Sequence, residues 1–170
     1  MADYYIGLGA NLGDRESLLA AAIRELRKIP GLTVSALSSL YETPPWGKTD
    51  QPVFYNAVVA VETQLPPERM LHLCLAVEAK LGRVRREKWG ARTIDLDILW
   101  HRRDVHTAEL QIPHPYLTER AFVLVPLCEL SPQLPIKGKR ASEWLSLLPD
   151  AEKIKKIKEP EEGRLSWKKY

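Results

Sequence analysis

Cysteine is scarce in this chain: only Cys74 and Cys128 occur, far apart, with no C-x-x-C and no histidine at zinc spacing. That excludes a disulfide-stapled scaffold and a zinc ribbon. The two thiols read as small core residues in a reducing compartment, which places the protein in the cytoplasm. Long apolar runs are missing as well. Nothing approaches the ~20 residues that cross a bilayer, and the N-terminus lacks the charged-then-apolar pattern of a signal peptide, so no membrane partner is expected. Charge of one sign is confined. The formal net charge of +3 is matched by residues 151–170 alone, where seven Lys and Arg face four Glu. The remainder is neutral, which argues against a whole-domain nucleic-acid footprint. Internal repeats and Pro/Gly/Ser linkers are absent too. The 170 residues therefore read as a single domain over 1–150 and a charged C-terminal tail over 151–170. The tail's composition predicts a solvated, partly ordered appendage.

What the chain does contain is concentrated in Arg92-Thr93-Ile94-Asp95-Leu96-Asp97-Ile98-Leu99-Trp100. After Thr93 the stretch alternates with the two-residue period of a β-strand. Ile94, Leu96, Ile98 and Trp100 are predicted on one side, and Thr93, Asp95, Asp97 and Leu99 on the other. The two aspartates then stand about 6.6 Å apart at Cα and point the same way. Their mutual repulsion is best relieved by a cation, and hard oxygen ligands select magnesium. A solvated acidic face is the plainer alternative for a lone D-x-D. The segment before it argues otherwise: Lys80, Arg83, Arg85, Arg86, Lys88 and Arg92 face a single acid, Glu87. Cations for phosphate oxygens followed by acids for Mg²⁺ are what a nucleoside triphosphate with its metal requires.

The remaining elements follow from periodicity and punctuation. Tyr4 to Leu8 reads as a strand. Gly7, Gly9 and Gly13 form G-x-G-x-x-x-G, one residue too long for a dinucleotide fingerprint, and are read as a tight strand-to-helix turn. Asp14 caps a helix running to about Ile29, with Leu19, Ile23 and Leu26 as its apolar stripe and Pro30-Gly31 as its stop. Leu32 to Tyr41 and Tyr55 to Glu62 read as strands, separated by a Pro/Gly loop over 43–52. Pro66-Pro67 starts a second helix that Gly82 closes. The strand with the aspartates is next, then Pro113-His114-Pro115, an apolar stretch from Phe122 to Leu130, and a last helical stretch near Ser142 to Leu148. The order βαββαβ predicts an α+β, ferredoxin-like fold, a mostly antiparallel sheet with helices on one face and the other face left for a site.

Several residues do not suit their setting. Glu78 falls inside the apolar arc of the second helix. It is either a rim acid paired with an arginine or a functional carboxylate, since a buried carboxylate needs a partner in both cases. Trp46 sits in a Pro- and Gly-bounded loop, where it either packs or stacks on a flat ligand. Asn56, next to Phe54, can pair with a heterocycle edge or simply stabilise a turn. Trp89 beside Gly90 pins a loop or covers a nucleotide. His114, between two prolines, is a positioned phosphate donor or a structural histidine. Arg120 carries the same two readings.

Four separated segments, taken in order, resemble the 6-hydroxymethyl-7,8-dihydropterin pyrophosphokinase family. They are Tyr5 to Gly13; Tyr41 to Gly47 continuing to Asp50-Gln51-Pro52 and Asn56-Ala57; Gly82-Arg83-Val84-Arg85 with Trp89 to Asp97; and Pro113-His114-Pro115 with Arg120-Ala121-Phe122. The likeness spans roughly residues 4–150. It implies transfer of diphosphate from ATP to the pterin hydroxymethyl oxygen with release of AMP, in folate biosynthesis, by a protein that is generally monomeric. It also implies two magnesium ions on Asp95 and Asp97, and phosphate-neutralising Arg83 and Arg92. Thr43, Pro44 and Asn56 would meet the pterin edge, with Phe54 and Phe122 sandwiching the ring and Trp46 adjoining. Glu78, Arg85, Trp89, Ile98, His114, Tyr116 and Arg120 would line the nucleotide and substrate channels. Leu75 and Phe54 stand where some relatives carry Gln and Tyr, and the segment before Trp89 is one residue shorter. Two other readings remain: a nucleotidyltransferase using D-x-D, which would release pyrophosphate, and a binding module without turnover.

Overall fold

A computed structural model describes residues 2–44, 50, 52–82 and 94–169. Strand β1 (Tyr4–Ala10) leads into helix α1 (Arg15–Arg27). Asp14 caps that helix, its carboxylate accepting the Ser17 N–H at 3.2 Å. The predicted second strand is broken into β2 (Leu32–Leu37) and β3 (Leu40–Thr43). Both pieces pair with β4 (Phe54–Thr63). Helix α2 (Pro67–Lys80) follows, begun by proline as expected, with Gly82 at φ +82° just past its end. Strand β5 (Asp95–His101) completes the split βαβ pattern. The order across the sheet is β10-β3-β4-β1-β5, and every neighbouring pair is antiparallel. Here β10 is Lys155–Lys158.

The sheet separates two cores. On one face, Leu19, Ala22, Ile23 and Leu26 of α1 and Met70, Cys74 and Val77 of α2 cover Ile6, Leu8, Val59, Val61, Leu96 and Ile98. The other face is covered only in part. Helices α3 (Ala121–Leu130) and α4 (Ala141–Ser146) and a small hairpin of β8 (Pro135–Ile136) with β9 (Lys139–Arg140) lie there, whereas the hairpin of β6 (Val105–His106) with β7 (Gln111–Ile112) packs Val105, Leu110 and Ile112 against the core under α1 and α2. Val123, Leu124 and Leu127 of α3 bury Tyr5, Val58, Ala60 and Leu99. The rest of this face, toward Gly7, Gly9 and the start of β5, is left for the site.

Three expectations are corrected. Trp100 does not share a side with Ile94, Leu96 and Ile98. The register pairs Ile6 with Ile98 but Tyr5 with Trp100, so Leu99 is an extra residue on β5. This bulge turns the chain by one residue and sends Trp100 to the α3 face, where its Nε1 donates to the Pro135 carbonyl at 2.9 Å. Gly7 and Gly9 are not turn residues: both lie within β1, and only Gly13, at φ +69°, serves the turn. The C-terminal segment is not a solvated appendage. Lys155 to Lys158 pair with Leu40 to Glu42 as an edge strand, and Trp167 is buried in the core under the helices. Charge composition misleads here because an edge strand exposes its lysines to water while its backbone completes the sheet.

Candidate functional site

Register builds the site. Asp95 stands opposite Gly9 and Asp97 opposite Gly7, and on the far side of β1 Gly9 is opposite Asn56. Leu96 and Ile98 point into the helix-covered core, so the aspartates, both half-buried, face the open side. The glycines keep a trough clear between the acids and Asn56. A Cβ placed on Gly9 would lie 2.7 Å from Asn56 Oδ1, and one on Gly7 would lie 3.3 Å from Leu99. Asn56 is buried and its Nδ2 donates to Thr43 Oγ1 at 2.6 Å, fixing the amide at the trough wall on the face that Gly9 leaves open. Phe54 leans over the same spot, near Gly9.

A second group closes the trough from the α3 side. The backbone N–H of His114 donates to the Leu99 carbonyl at 3.0 Å, tying the His-Pro segment to β5. The Tyr116 N–H donates to His114 Nδ1 at 3.2 Å. Arg120 precedes α3, and its guanidinium lies 5.0 Å from the Tyr116 ring and 5.5 Å from the Phe122 ring. These contacts gather His114, Tyr116, Arg120 and Phe122. Burial, then the Arg120 charge, pushes His114 down to about 4, with Asp95 pulling the other way. The imidazole is therefore neutral at pH 7. Because Nδ1 accepts a hydrogen bond, Nε2 carries the proton and is the donor.

Two residues expected at the channels have buried side chains. The Ile98 side chain is buried among α1 and α2, since it alternates with the aspartates. Glu78 is buried on α2 and accepts the backbone N–H of Leu96 at 2.7 Å. Leu96 sits between the two aspartates on the outer edge of the sheet. Glu78 thus takes up a backbone N–H between the two acids that no strand among the described residues satisfies. Glu78→Ala should cost about 1–3 kcal/mol through the orphaned buried donor, read as a lower midpoint in thermal unfolding. Glu78→Gln, which keeps an acceptor oxygen, should recover most of it; equal midpoints for all three proteins would refute this role.

Trp46, Arg83, Arg85, Trp89 and Arg92 lie outside the described residues. Pro44 is exposed at the end of β3. Sequence reasoning overlooked Asn11 and Arg15. Asn11 Nδ2 donates to the Pro52 carbonyl at 3.1 Å and Arg15 Nη1 to the Val53 carbonyl at 2.8 Å. Arg15 also stacks 4.2 Å over the Tyr55 ring. Together they hold the chain that runs into Phe54. Short polar residues after the first strand were the only sign.

Among the described residues, no three His, Cys, Asp or Glu side chains gather into a closed metal cage. Two hard carboxylates on an open trough suit magnesium, which takes its other ligands from phosphate and water. The arrangement defines a class: an α+β protein whose open sheet face carries a carboxylate pair beside a buried amide and two phenylalanine rings.

The comparisons narrow this class. Residues 5–132 match the family model of 7,8-dihydro-6-hydroxymethylpterin-pyrophosphokinase (HPPK). A Methylorubrum extorquens 2-amino-4-hydroxy-6-hydroxymethyldihydropteridine pyrophosphokinase is 48% identical over 149 residues, covering 87% of this chain and 94% of its own. The Bacillus subtilis protein of the same name is 46% identical over 131 residues, 76% of this chain and 78% of that one. The chain belongs to the HPPK family. Solved HPPK-DHPS structures share the fold. One in complex with substrates has a TM-score of 0.69 at 13% identity, covering 91% of this chain and 46% of that one. The Plasmodium falciparum wild type with SDX-DHP has 0.67 at 17%, covering 96% and 48%. The chain thus spans about half the length of these proteins.

Proposed function

We infer that the chain transfers the β,γ-diphosphate of ATP to the hydroxymethyl oxygen of 6-hydroxymethyl-7,8-dihydropterin, giving AMP and the pterin diphosphate, in folate biosynthesis. Family membership supports the reaction, and one observation supports its location. The acid pair on β5 and the Thr43–Asn56 pair face each other across Gly7 and Gly9. Asn56 and Thr43 present the polar edge that selects the pterin, and Phe54 and Phe122 supply ring faces. His114 donates from Nε2, and Arg120 places its positive charge toward ATP. Asp95 and Asp97 would hold two magnesium ions, which neutralise the phosphates and orient them for in-line attack.

The alcohol oxygen forms a bond to Pβ and loses its proton to solvent as the bond from Pβ to the α-phosphate oxygen breaks and AMP leaves. Such a transfer depends on positioning and charge neutralisation more than on covalent participation. Arg83 and Arg92 are assigned to the phosphates, and Trp46, Arg85 and Trp89 to the channel walls, on the family likeness alone. Cys74 and Cys128 are free thiols, pushed by burial up to about 12 and about 11 respectively. Neither is a thiolate at neutral pH, and the cytoplasmic, monomeric state we assign follows the family likeness and the scarcity of cysteine. No helix among the described residues is long and apolar enough to cross a membrane.

Incubation with ATP, magnesium and the reduced pterin, followed by chromatography, tests the assignment. AMP and pterin diphosphate should appear in equal amounts. Pyrophosphate release would mean nucleotidyl transfer instead, and unchanged ATP would mean a binding module.

A further inference from the structure

After β10 the chain turns back on itself. Pro160 bridges Trp167. The Glu161 N–H donates to the Ser166 carbonyl at 2.8 Å, and the Lys168 N–H to the Glu159 carbonyl at 2.9 Å. This hairpin delivers Trp167 into the core, where it is 4% exposed. Its Nε1 donates to the Ser38 carbonyl at 2.9 Å. Lys158, at the base of the hairpin, pairs with Glu16 of α1 at 2.9 Å.

Ser38 is the point where the second strand breaks. Its hydroxyl accepts the Val58 N–H at 2.9 Å and donates to the Ser39 carbonyl at 2.8 Å. The Ser39 N–H and hydroxyl donate to the Glu129 carboxylate at 2.8 and 2.6 Å, and the Tyr41 hydroxyl donates to it at 2.9 Å. Glu129 belongs to α3. Two residues beyond Tyr41, Thr43 holds Asn56. Hydrogen bonds therefore run from Trp167, through the break, to Tyr41, and the backbone of β3 carries on from Tyr41 to Thr43, one of the residues assigned to the pterin edge. Meanwhile β10 pairs with Leu40, Tyr41 and Glu42 along the outer side of β3.

We propose that residues 155–168 act as a positioning clamp for the reduced pterin, with Trp167 setting the break at Ser38 and so the placement of Tyr41 to Thr43, without touching substrate. This rests on the assignment of the pterin to Thr43 and Asn56. The sheet order makes it specific. β10 and β3 occupy one edge and β5, with Asp95 and Asp97, the other, with β4 and β1 between them. A fault in the clamp should reach the pterin and spare ATP.

The test compares the full chain with Trp167→Phe, which keeps the ring and removes the N–H, and with a chain shortened to end at Glu159. KM for each substrate, kcat and the unfolding midpoint are measured. Trp167→Phe should raise the pterin KM about five-fold, the factor expected for one hydrogen bond. The shortened chain should raise it by roughly ten-fold or more, since Trp167 and the hairpin that carries it are both lost while β10 stays. The ATP KM should stay within about two-fold in both. Parallel rises in both KM values, or a lower midpoint with both KM values unchanged, would show a merely structural role and overturn the clamp. If the shortened chain does not fold, Trp167→Phe decides alone. A pterin KM that responds to Gly9→Ala but not to Trp167→Phe sinks only the clamp, whereas a pterin KM insensitive to both, with the unfolding midpoint of Gly9→Ala unchanged, sinks the pterin assignment itself.

Discussion

Asp97→Ala is expected to lower kcat on the order of 10³-fold or more, the scale of losing a preorganised electrostatic group at the reacting phosphate. That corresponds to about 4 kcal/mol of transition-state stabilisation. The reason is position. Asp97 is half-buried on the open face opposite Gly7, two residues from Asp95, and packs no core. Its removal takes away half of the hard-oxygen donor pair while leaving the α1 and α2 core intact. Stability should change little, since the side chain is half-buried on the open face and not in the apolar core. Initial rates of AMP formation at saturating substrate, over a range of magnesium concentrations, give the first quantity. Thermal unfolding followed by circular dichroism gives the second. Full turnover in this variant would end the metal assignment, and a large loss of stability would mean that Asp97 has a structural task instead.

Gly9→Ala should strike the other half of the site. The added methyl carbon would sit 2.7 Å from Asn56 Oδ1, closer than such atoms approach. Asn56 cannot easily yield, because its Nδ2 is held by Thr43 Oγ1 at 2.6 Å and the residue is buried. Either the amide leaves its place or β1 and β4 part. The first outcome raises the pterin KM by roughly ten-fold or more, in line with misplacing one polar group built to recognise a heterocycle. The second costs about 1–3 kcal/mol of stability, as overpacking does. The ATP KM should change least. Steady-state kinetics with each substrate varied, together with an unfolding curve, separate the two. A variant with normal pterin KM and normal stability would show that Asn56 is not part of the trough wall.

The two variants trace the line between what was legible in the chain and what was not. Asp95 and Asp97 were legible because strand period is a local property: alternation with Leu96 and Ile98 alone puts both acids on one side. Asp14, Pro66-Pro67 and Gly82 were legible for the same reason, since caps and stops act over a single turn. Gly7 and Gly9 were misread as a turn because their meaning depends on a partner strand about 90 residues away. Glycine spacing of two becomes informative only once Asp97 and Asp95 lie opposite. Glu78 was recognised as out of place, yet its partner, the Leu96 N–H, is an edge group that no periodicity reveals. The Leu99 bulge, which reverses Trp100, and the pairing of β10 likewise arise from register between distant segments.

From the order of its residues alone, this protein was bound to have a split βαβ core, an acid pair on one strand and a basic segment leading to it, because those features rest on periods of two and 3.6 residues and on short-range sterics. Only the tertiary structure decided which faces meet. It set the glycines under the trough, turned Asn56 toward Thr43, brought His114 and Arg120 to the α3 side, and returned a lysine-rich C-terminal segment to the edge of the sheet. Backbone hydrogen bonds between strands far apart in the chain set that register, and no local pattern of side chains encodes it.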